Sequence, residues 1–229
     1  MKINVKEKKI IVLIIASDDK DYYIEMQKCW RLYMNNHKNI KCYFIKCNPL
    51  INEHVIINEE ENTIYCKLKE TYVPGLLLKT LMSITHIYNT MDFDYIYRTN
   101  LSSLIDLNKM YNYINKRTIN YGGVIVNYEH KLSKPSFASG AGFWLRKNVC
   151  KYIIDNLDRI NILLVDDVAL GLLLCPIYGI NSELRIDINN KDLVTSKMID
   201  NEVYHYRCKV EDNMMETCEI QKKLIKIIY

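Results

Sequence analysis

Hydrophobic residues along this chain fall either into short continuous runs or into longer stretches with helical spacing. The run Lys9–Ala16 is almost entirely aliphatic, which is typical of a strand buried on both faces. Tyr22–Met34 instead repeats its apolar residues every three or four positions, which predicts an amphipathic helix. The same patterns predict strands at Ile40–Cys47, Thr63–Leu68, Phe93–Tyr97, Tyr121–Val126 and Val203–Tyr206, and helices at Leu76–Tyr88, Leu107–Asn115, Val149–Asn156, Val168–Cys175 and Glu219–Ile228.

This alternation predicts an α/β protein whose central sheet is mixed, mostly parallel, and flanked by helices. Strands separated by helices return to the same sheet through right-handed crossovers, which make neighbouring strands parallel. No internal repeat and no linker rich in Gly, Pro or Ser interrupts the sequence. We therefore predict a single domain over residues 1–229.

Composition disfavours several classes of protein. The formal net charge is only +4 and the Lys and Arg residues are scattered, so the sequence gives no support for nucleic-acid binding. The apolar run near the N-terminus, Ile10–Ile15, is too short for a signal peptide or a membrane span, which predicts a cytoplasmic protein. The eight cysteines form no CxxC pair and several lie in apolar elements, so buried free thiols are expected.

Two adjacent carboxylates, Asp166 and Asp167, lie between two apolar runs and are therefore expected at the edge of the core. Acids held in such a position often accept a proton or bind a cation. Alternatively, they simply cap the helix that follows, where negative charge is favourable. The two roles are compatible, since one carboxylate can cap the helix while the other faces a cleft.

The small residues Ser139, Gly140, Ala141 and Gly142 predict a turn that leads into a helix and would let a sugar approach backbone amides. A tight turn needed only for packing is the alternative. Phe143 and Trp144 follow directly and either stack against a sugar ring or belong to the core. Asp18 and Asp19 follow the first predicted strand, at the sheet edge where nucleotides bind in α/β proteins, with a solvated loop as the alternative.

Five blocks of sequence, taken in order, resemble the GT-A glycosyltransferases, and within them the galactosyltransferase and fringe-like group. They are QKCWRLY, ETYVPGLLLKT, YIYRTNLSS, SGAGFWLRKNV and VDDVALG. The resemblance implies a hexosyltransferase that moves a sugar from a nucleotide-diphosphate sugar, a UDP-sugar, to a hydroxyl of a glycan acceptor with inversion. The abundance of Tyr, Ile, Asn and Lys is typical of an AT-rich genome, and we predict such a source or a viral one.

The resemblance also implies roles for individual residues. Asp167 would be the general base, with Asp166 beside it. The acceptor would contact the segment from Ser139 to Trp144. The donor would contact Ala16, Ser17, Asp18, Lys79, Arg98, Thr99, Asn100 and Ser102.

The chain departs from the family at the metal-binding DxD triplet, which here reads Asn100-Leu101-Ser102. Mn²⁺ and Mg²⁺ prefer charged oxygen ligands, which an amide and a hydroxyl do not supply. One alternative is a metal ion held by Ser102 and His205, or by a nearby acid such as Asp94 or Asp106. The other, which we favour, is a metal-free enzyme in which cations such as Arg98 and Lys79 neutralise the diphosphate. His205 would then be structural.

Two further classes of function remain open at this point. A catalytically silent relative that binds nucleotide sugars or carbohydrates would explain the altered triplet, although the retained Asp166-Asp167 pair argues against it. An unrelated nucleotide-binding α/β protein is disfavoured because the sequence contains no GxGxxG and no Walker-type loop.

Overall fold

The structure, a computed structural model, describes residues 7–127, 136–199 and 202–229. The strands are β1 (Ile10–Ile15), β2 (Ile40–Cys47), β3 (Val55–Asn58), β4 (Thr63–Cys66), β5 (Tyr95–Asn100), β6 (Ser103–Ile105), β7 (Tyr121–Asn127), β8 (Ser136–Arg146), β9 (Asn181–Ser182), β10 (Ile186–Asp187) and β11 (His205–Arg207). The α-helices are α1 (Asp21–Arg31), α2 (Gly75–Thr90), α3 (Leu107–Asn115), α4 (Lys147–Asp155), α5 (Asp166–Tyr178) and α6 (Met214–Ile228).

The central sheet has eight strands in the order β3-β4-β2-β1-β5-β8-β7-β9. Strands β4, β2, β1 and β5 run parallel, whereas β8 is antiparallel to both β5 and β7. This confirms the predicted α/β class and the mixed, mostly parallel sheet flanked by helices. A smaller sheet, in the order β10-β11-β6, lies beyond the end of β5.

The sheet separates two hydrophobic cores. Ile10, Val12 and Ile14 of β1 enter the core that α1, α3 and α6 cover, while Ile11 and Leu13 enter the core that α2, α4 and α5 cover. A strand buried on both faces needs apolar residues at every position, which is why β1 reads as a continuous apolar run. The interpretation of that run as a doubly buried strand is confirmed.

Several elements differ from the sequence predictions at their ends, and the short strands β3, β6, β9 and β10 were not predicted. Strand β3 was not predicted, because Val55–Asn58 is a short, half-exposed edge strand that pairs antiparallel with β4. Helix α5 continues through Pro176 to Tyr178, and Gly179, with φ of 62°, ends it. Helix α6 begins at Met214 because the Asn213 side chain caps it by accepting from the backbone N–H of Glu216.

The predicted turn at Ser139–Gly142 is wrong, because this segment is a bulge within the long strand β8. Gly123 of β7 pairs with Phe143, and Ile125 pairs with Ala138. One residue of β7 therefore faces the four residues 139–142 of β8. A bulge of this kind bends a strand away from its neighbour and changes where its side chains point.

The cysteines agree with the expectation of buried thiols. All eight cysteines are free, and six of them are buried, so the thiols behave as small core residues. In the part of the chain that the structure describes, no helix has both the length and the apolar character needed to cross a bilayer.

Glu183, directly after β9, gives the fold a pH dependence that can be measured. Its side chain is buried, Tyr204 donates a hydrogen bond to Oε2, and Oε1 has no hydrogen-bond partner among the described residues. Burial raises the pKa of Glu183 from its ordinary value of 4.5 to about 8. The folded protein therefore holds this proton to a higher pH than the unfolded chain does.

We expect Glu183 to lower the free energy of unfolding as the pH rises from 4.5 to about 8, by at most ~1.4 kcal/mol per pH unit. The Glu183→Gln variant lacks this titrating group. Its free energy of unfolding should therefore fall less steeply between pH 4.5 and about 8 than that of the wild type, by up to ~1.4 kcal/mol per pH unit. Urea unfolding of both proteins at several pH values across the window measures the difference. Equal slopes for the two proteins would contradict the assignment.

Candidate active site

A cavity of about 550 Å³ opens where β1 and β5 end. Parallel strands present their carboxyl ends at one edge of a sheet, and ligands of open α/β folds bind beyond that edge. The structure brings five of the predicted donor residues into the wall of this cavity, namely Ala16, Ser17, Lys79, Asn100 and Ser102. We refer to it below as the edge cavity.

A larger cavity of about 800 Å³ lies against the outer side of α2. Its wall is mostly apolar and includes Leu78, Leu81 and Met82, and no residue predicted for the site lines it. Polar groups that converge on a ligand are what distinguish a site from a gap in packing. We therefore place the functional site in the smaller edge cavity.

The two acids that follow β1 have different environments. Asp18 does not line the edge cavity. Its carboxylate is turned toward Lys46 and Gln27, from which it accepts hydrogen bonds at 2.7 and 2.9 Å and at 3.0 Å, respectively. Asp19 lines the cavity and accepts a hydrogen bond from the Ser17 hydroxyl. The aspartate available to a ligand is thus Asp19, one residue after the predicted Asp18.

Lys79 lines the edge cavity, but its charge is already paired. The side chain is fully buried, and Nζ donates to the carbonyl of Ala16 at 2.9 Å and to Oε1 of Glu70 at 2.7 Å. These bonds join α2 to the end of β1. Lys79 therefore has a structural role in the cavity wall, and its positive charge is neutralised by Glu70.

Arg98 does not line the edge cavity, contrary to the prediction that it contacts the donor phosphate. Its buried guanidinium forms an ion pair with Asp166 at 2.5 Å and also donates to the carbonyl of Gly140. The neighbouring Thr99 is buried as well, and its hydroxyl donates to the carbonyl of Ala141. Both side chains hold β8 and α5 against β5 instead of facing the cavity.

Asp166 and Asp167 begin α5, so the helix-end alternative is correct as far as position is concerned. Asp166 is buried between Arg98 and the hydroxyl of Thr80, which lies 3.2 Å from Oδ2. Asp167 is half-buried and accepts backbone N–H groups from Gly140 at 2.8 Å and from Val168 at 2.9 Å. The pair thus divides into one fully paired acid and one acid whose partners are neutral.

Burial, and then the negative charge of Asp166, raise the pKa of Asp167 above its ordinary value. A carboxylate with a raised pKa is a better proton acceptor, provided that it is ionised at the working pH. Arg98 opposes the shift and favours the ionised form. The environment of Asp167 is therefore suited to general-base chemistry.

A short path of contacts connects Asp167 with the edge cavity. The N–H of Gly140 bonds Asp167, and the carbonyl of Gly140 lies 3.5 Å from Nδ2 of Asn100, which lines the cavity. A Cβ atom on Gly140 would lie 2.7 Å from Oδ2 of Asp167, so the close approach of strand and carboxylate requires glycine here. The bulge of β8 is what brings this backbone to the acid.

The predicted aromatic wall for a sugar ring is wrong. Phe143 and Trp144 are fully buried, and they point into opposite cores from consecutive positions of β8. The indole N–H of Trp144 donates to the hydroxyl of Tyr204 at 2.8 Å, so this donor already has a partner inside the protein. Of the predicted acceptor residues, Ser139, Gly140, Ala141 and Gly142 form the bulge, and the Ser139 hydroxyl accepts from Arg185 at 3.0 Å.

The residues proposed as metal ligands are hydrogen-bonded to the protein itself. Oδ1 of Asn100 accepts from the hydroxyls of Ser102 at 3.0 Å and Ser103 at 3.2 Å. His205 is buried, with Nδ1 3.0 Å from the Tyr97 hydroxyl and Nε2 3.0 Å from the Ser103 hydroxyl. Burial lowers the pKa of His205 well below its ordinary value and keeps the ring neutral.

The two acids considered as substitute metal ligands lie elsewhere. Asp94 precedes β5 at the opposite edge of the sheet, where its carboxylate accepts from the backbone N–H of Lys9. Asp106 caps α3 by accepting from the backbone N–H of Lys109. Within residues 7–127, 136–199 and 202–229, no three His, Cys, Asp or Glu side chains form a group that could hold a metal ion.

Sequence reasoning missed two basic residues of the edge cavity, Arg207 and Lys209. The backbone N–H of Cys208 donates to the carbonyl of Ser102 at 2.7 Å, which fixes this segment beside the Asn100-Leu101-Ser102 triplet. The predicted strand Val203–Tyr206 ends before both residues, and the signal that could have found them is the two-residue spacing of His205, Arg207 and Lys209. Side chains two positions apart lie on the same face of a strand.

Comparison with solved structures identifies the fold. The chain is similar to a glycosyltransferase involved in the glycosylation of the major capsid of PBCV-1, at 11% identity over 93% of this chain and 98% of that one, with a TM-score of 0.54. Galactosyltransferase LgtC, in complex with donor and acceptor sugar analogues, is similar at 10% identity over 93% of this chain and 95% of its own, with a TM-score of 0.48. The glycosyltransferase GlyE of Streptococcus pneumoniae TIGR4 is similar at 9% identity over 77% and 45% of the two chains, with a TM-score of 0.39.

No protein-family model and no curated protein sequence matches the chain. The likeness to the PBCV-1 enzyme, together with the sheet order described above, shows that the chain has a GT-A fold. The other two similarities are too low in TM-score to carry an argument. Membership of the fringe-like group stays a prediction.

Proposed function

We propose that this protein is a glycosyltransferase that moves a sugar from a nucleotide-diphosphate sugar to an acceptor hydroxyl, with Asp167 as the general base. One observation carries the proposal. A half-buried carboxylate with a raised pKa is joined through a single residue, Gly140, to the edge cavity, whose wall includes charged and polar side chains at the carboxyl ends of β1 and β5. The fold supports the proposal, because the PBCV-1 protein with which the chain shares it is a glycosyltransferase.

In the proposed reaction, the acceptor hydroxyl gives its proton to a carboxylate oxygen of Asp167 and its oxygen forms a bond to the anomeric carbon. The bond between that carbon and the diphosphate breaks, and the diphosphate leaves with the electron pair. Each oxygen of Asp167 accepts one backbone N–H and retains lone pairs for the incoming proton. The buried Arg98–Asp166 pair fixes the N-terminus of α5 on which Asp167 lies.

The finer features of the donor and the reaction remain predictions. A UDP-hexose is the donor that the sequence resemblance implies, and the edge cavity would hold its diphosphate near Asn100 and Ser102. Inversion at the anomeric carbon follows if the acceptor attacks from the face opposite the diphosphate. Proton NMR of the first product formed from an α-linked donor would show a β linkage for inversion and an α linkage for retention.

A catalytically silent binding protein of the same fold is the second candidate. The observation that favours it is the Asn100-Leu101-Ser102 triplet, in which the Ser102 hydroxyl donates to Oδ1 of Asn100 instead of being free to bind a metal ion. Such a protein would bind nucleotide sugars without consuming them. Release of nucleoside diphosphate in the presence of acceptor glycans, or of water, distinguishes it from an enzyme. The ionisable Asp167 would have no role in that case.

We expect nucleoside diphosphates and nucleotide sugars to raise the melting temperature of the protein, because ligands that bind only the folded state stabilise it. At a ligand concentration 100 times Kd the gain is about 2.7 kcal/mol. A thermal-shift panel of the common nucleotide sugars and their nucleoside diphosphates, with free sugars and nucleosides as controls, identifies the donor. Failure of every nucleotide to stabilise the protein would contradict the proposed function.

A further inference from the structure

The residues at the position of the family's metal site do not fit a divalent cation. Hard cations need carboxylate or free carbonyl oxygens, and here the one side-chain oxygen of Asn100 accepts from the Ser102 hydroxyl and lies 3.2 Å from the hydroxyl of Ser103. His205, the other predicted ligand, has both ring nitrogens bonded to buried hydroxyls. A metal ion would have to break these buried bonds to gain only neutral ligands. The diphosphate therefore needs another source of positive charge.

Two cations lie in the wall of the edge cavity beside this triplet, Arg207 and Lys209. The pairing of β11 with β6 places Arg207 opposite Ser103, and the bond from Cys208 to Ser102 continues the contact. Lys79 is a third cation of the wall, but Glu70 pairs with it inside the protein. Positive charge available to a ligand is thus concentrated on the segment from Arg207 to Lys209.

Arg207 has hydrogen-bonding capacity that the protein does not use. Its Nε is buried and has no hydrogen-bond partner within the described part of the chain. Its Nη1 lies 3.7 Å from Asp187, whose two carboxylate oxygens already accept from Arg185. A buried donor without a partner calls for a ligand or water that satisfies it. A phosphate oxygen matches a guanidinium both in charge and in geometry.

Lys209 can release its present partner at little cost. Its Nζ lies 3.0 Å from Glu211, a residue whose side chain is 76% exposed. Exposed ion pairs of this kind contribute little to stability, so the ammonium can turn to a stronger anion. The acids of the cavity wall, Asp19 and Glu70, do not pair with either cation.

We infer that Arg207 and Lys209 bind the diphosphate of the donor and neutralise it as it leaves, in the place of a metal ion. The inference rests on the proposed function, since it assigns the cations to the leaving group of that reaction. Arg207 supplies directed N–H donors, and Lys209 supplies a mobile point charge at the mouth of the cavity. Neither residue transfers a proton or forms a covalent bond.

The test is titration calorimetry of UDP, GDP, CDP and ADP into the purified full-length protein, once in EDTA and once in MnCl₂. The nucleoside diphosphate that binds is then titrated into Arg207→Ala and Lys209→Ala. We expect equal affinity in both buffers, and a Kd raised about 10- to 150-fold by each substitution, the value of a hydrogen bond to a charged group. Lys151→Ala is the matched control, because it removes an exposed positive charge on α4, away from the cavity.

The melting temperature of each variant shows whether it is folded, and Arg207→Lys provides a second variant that keeps the charge but loses the guanidinium fork. It should bind more weakly than the wild type and more tightly than Arg207→Ala. Binding that requires Mn²⁺, or unchanged affinity in both alanine variants, would overturn the inference and leave the proposed function standing. Absence of binding for all four nucleotides in both buffers would overturn the two together.

Discussion

Replacement of Asp167 by Asn is expected to lower turnover by about 10²–10⁴, the usual contribution of a positioned general base. Asn retains the shape of the side chain but has no basic carboxylate to take the proton of the acceptor hydroxyl. Oxygen and amide together can keep only one of the two backbone bonds that Asp167 accepts. A modest loss of stability, about 1–3 kcal/mol, should therefore accompany the loss of activity.

The measurement is kcat for sugar transfer, with nucleotide affinity determined on the same preparation. Asp155→Asn is a matched control, since Asp155 is an exposed carboxylate on α4 that pairs with the exposed Lys151. Because the pKa of Asp167 is raised, activity of the wild type should fall on acidification at a higher pH than that of an ordinary aspartate. Wild-type turnover in Asp167→Asn would mean that the carboxylate serves the structure alone.

Replacement of Arg98 by Ala is expected to destabilise the protein by about 3–5 kcal/mol, the cost of removing one partner of a buried ion pair. The side chains of Arg98 and Asp166 are only 4% and 3% exposed, so water cannot compensate the charge left on Asp166. The carbonyl of Gly140 would also lose its donor. Urea unfolding monitored by circular dichroism measures the change directly.

A double substitution distinguishes the cost of an unpaired charge from the cost of lost packing. In Arg98→Met with Asp166→Leu, both charges disappear and apolar side chains of similar volume replace them. Such replacements of whole buried pairs are often neutral or stabilising. The double variant should therefore be more stable than Arg98→Ala. A loss below about 1 kcal/mol in Arg98→Ala itself would show that the pair is open to solvent.

The fold was predictable where burial alone decides which residues are allowed. Strand β1 is apolar at each of its six positions because both of its faces are covered, and its short length and β-branched residues favour a strand over a buried helix. Strand β3 escaped prediction because its burial is partial and its pairing with β4 closes a short hairpin. The bulge in β8 escaped it because small residues permit a turn and a bulge equally well, and only the strands β5 and β7 on either side decide between them.

The site was predictable where position along a strand determines location. Ala16 and Asn100 face the edge cavity because they stand at the carboxyl ends of neighbouring parallel strands. Arg98 was misplaced because its partner, Asp166, is 68 residues away in the chain and only the packed structure brings the charges together. Arg207 and Lys209 were missed for the same reason, since β11 meets β6 across about a hundred residues.

The bulge of β8 makes the length of one segment as restrictive as its sequence. Side chains alternate between the two faces of a regular strand, but Ala138 and Phe143 enter the same core although they are five positions apart. The number of residues in the bulge therefore sets which way the flanking side chains point. Loss of one residue from 139–142 would also move the backbone of Gly140 away from the carboxylate of Asp167. Among descendants of this chain, substitutions between small residues can accumulate here, whereas insertions and deletions should be confined to other parts of the sequence.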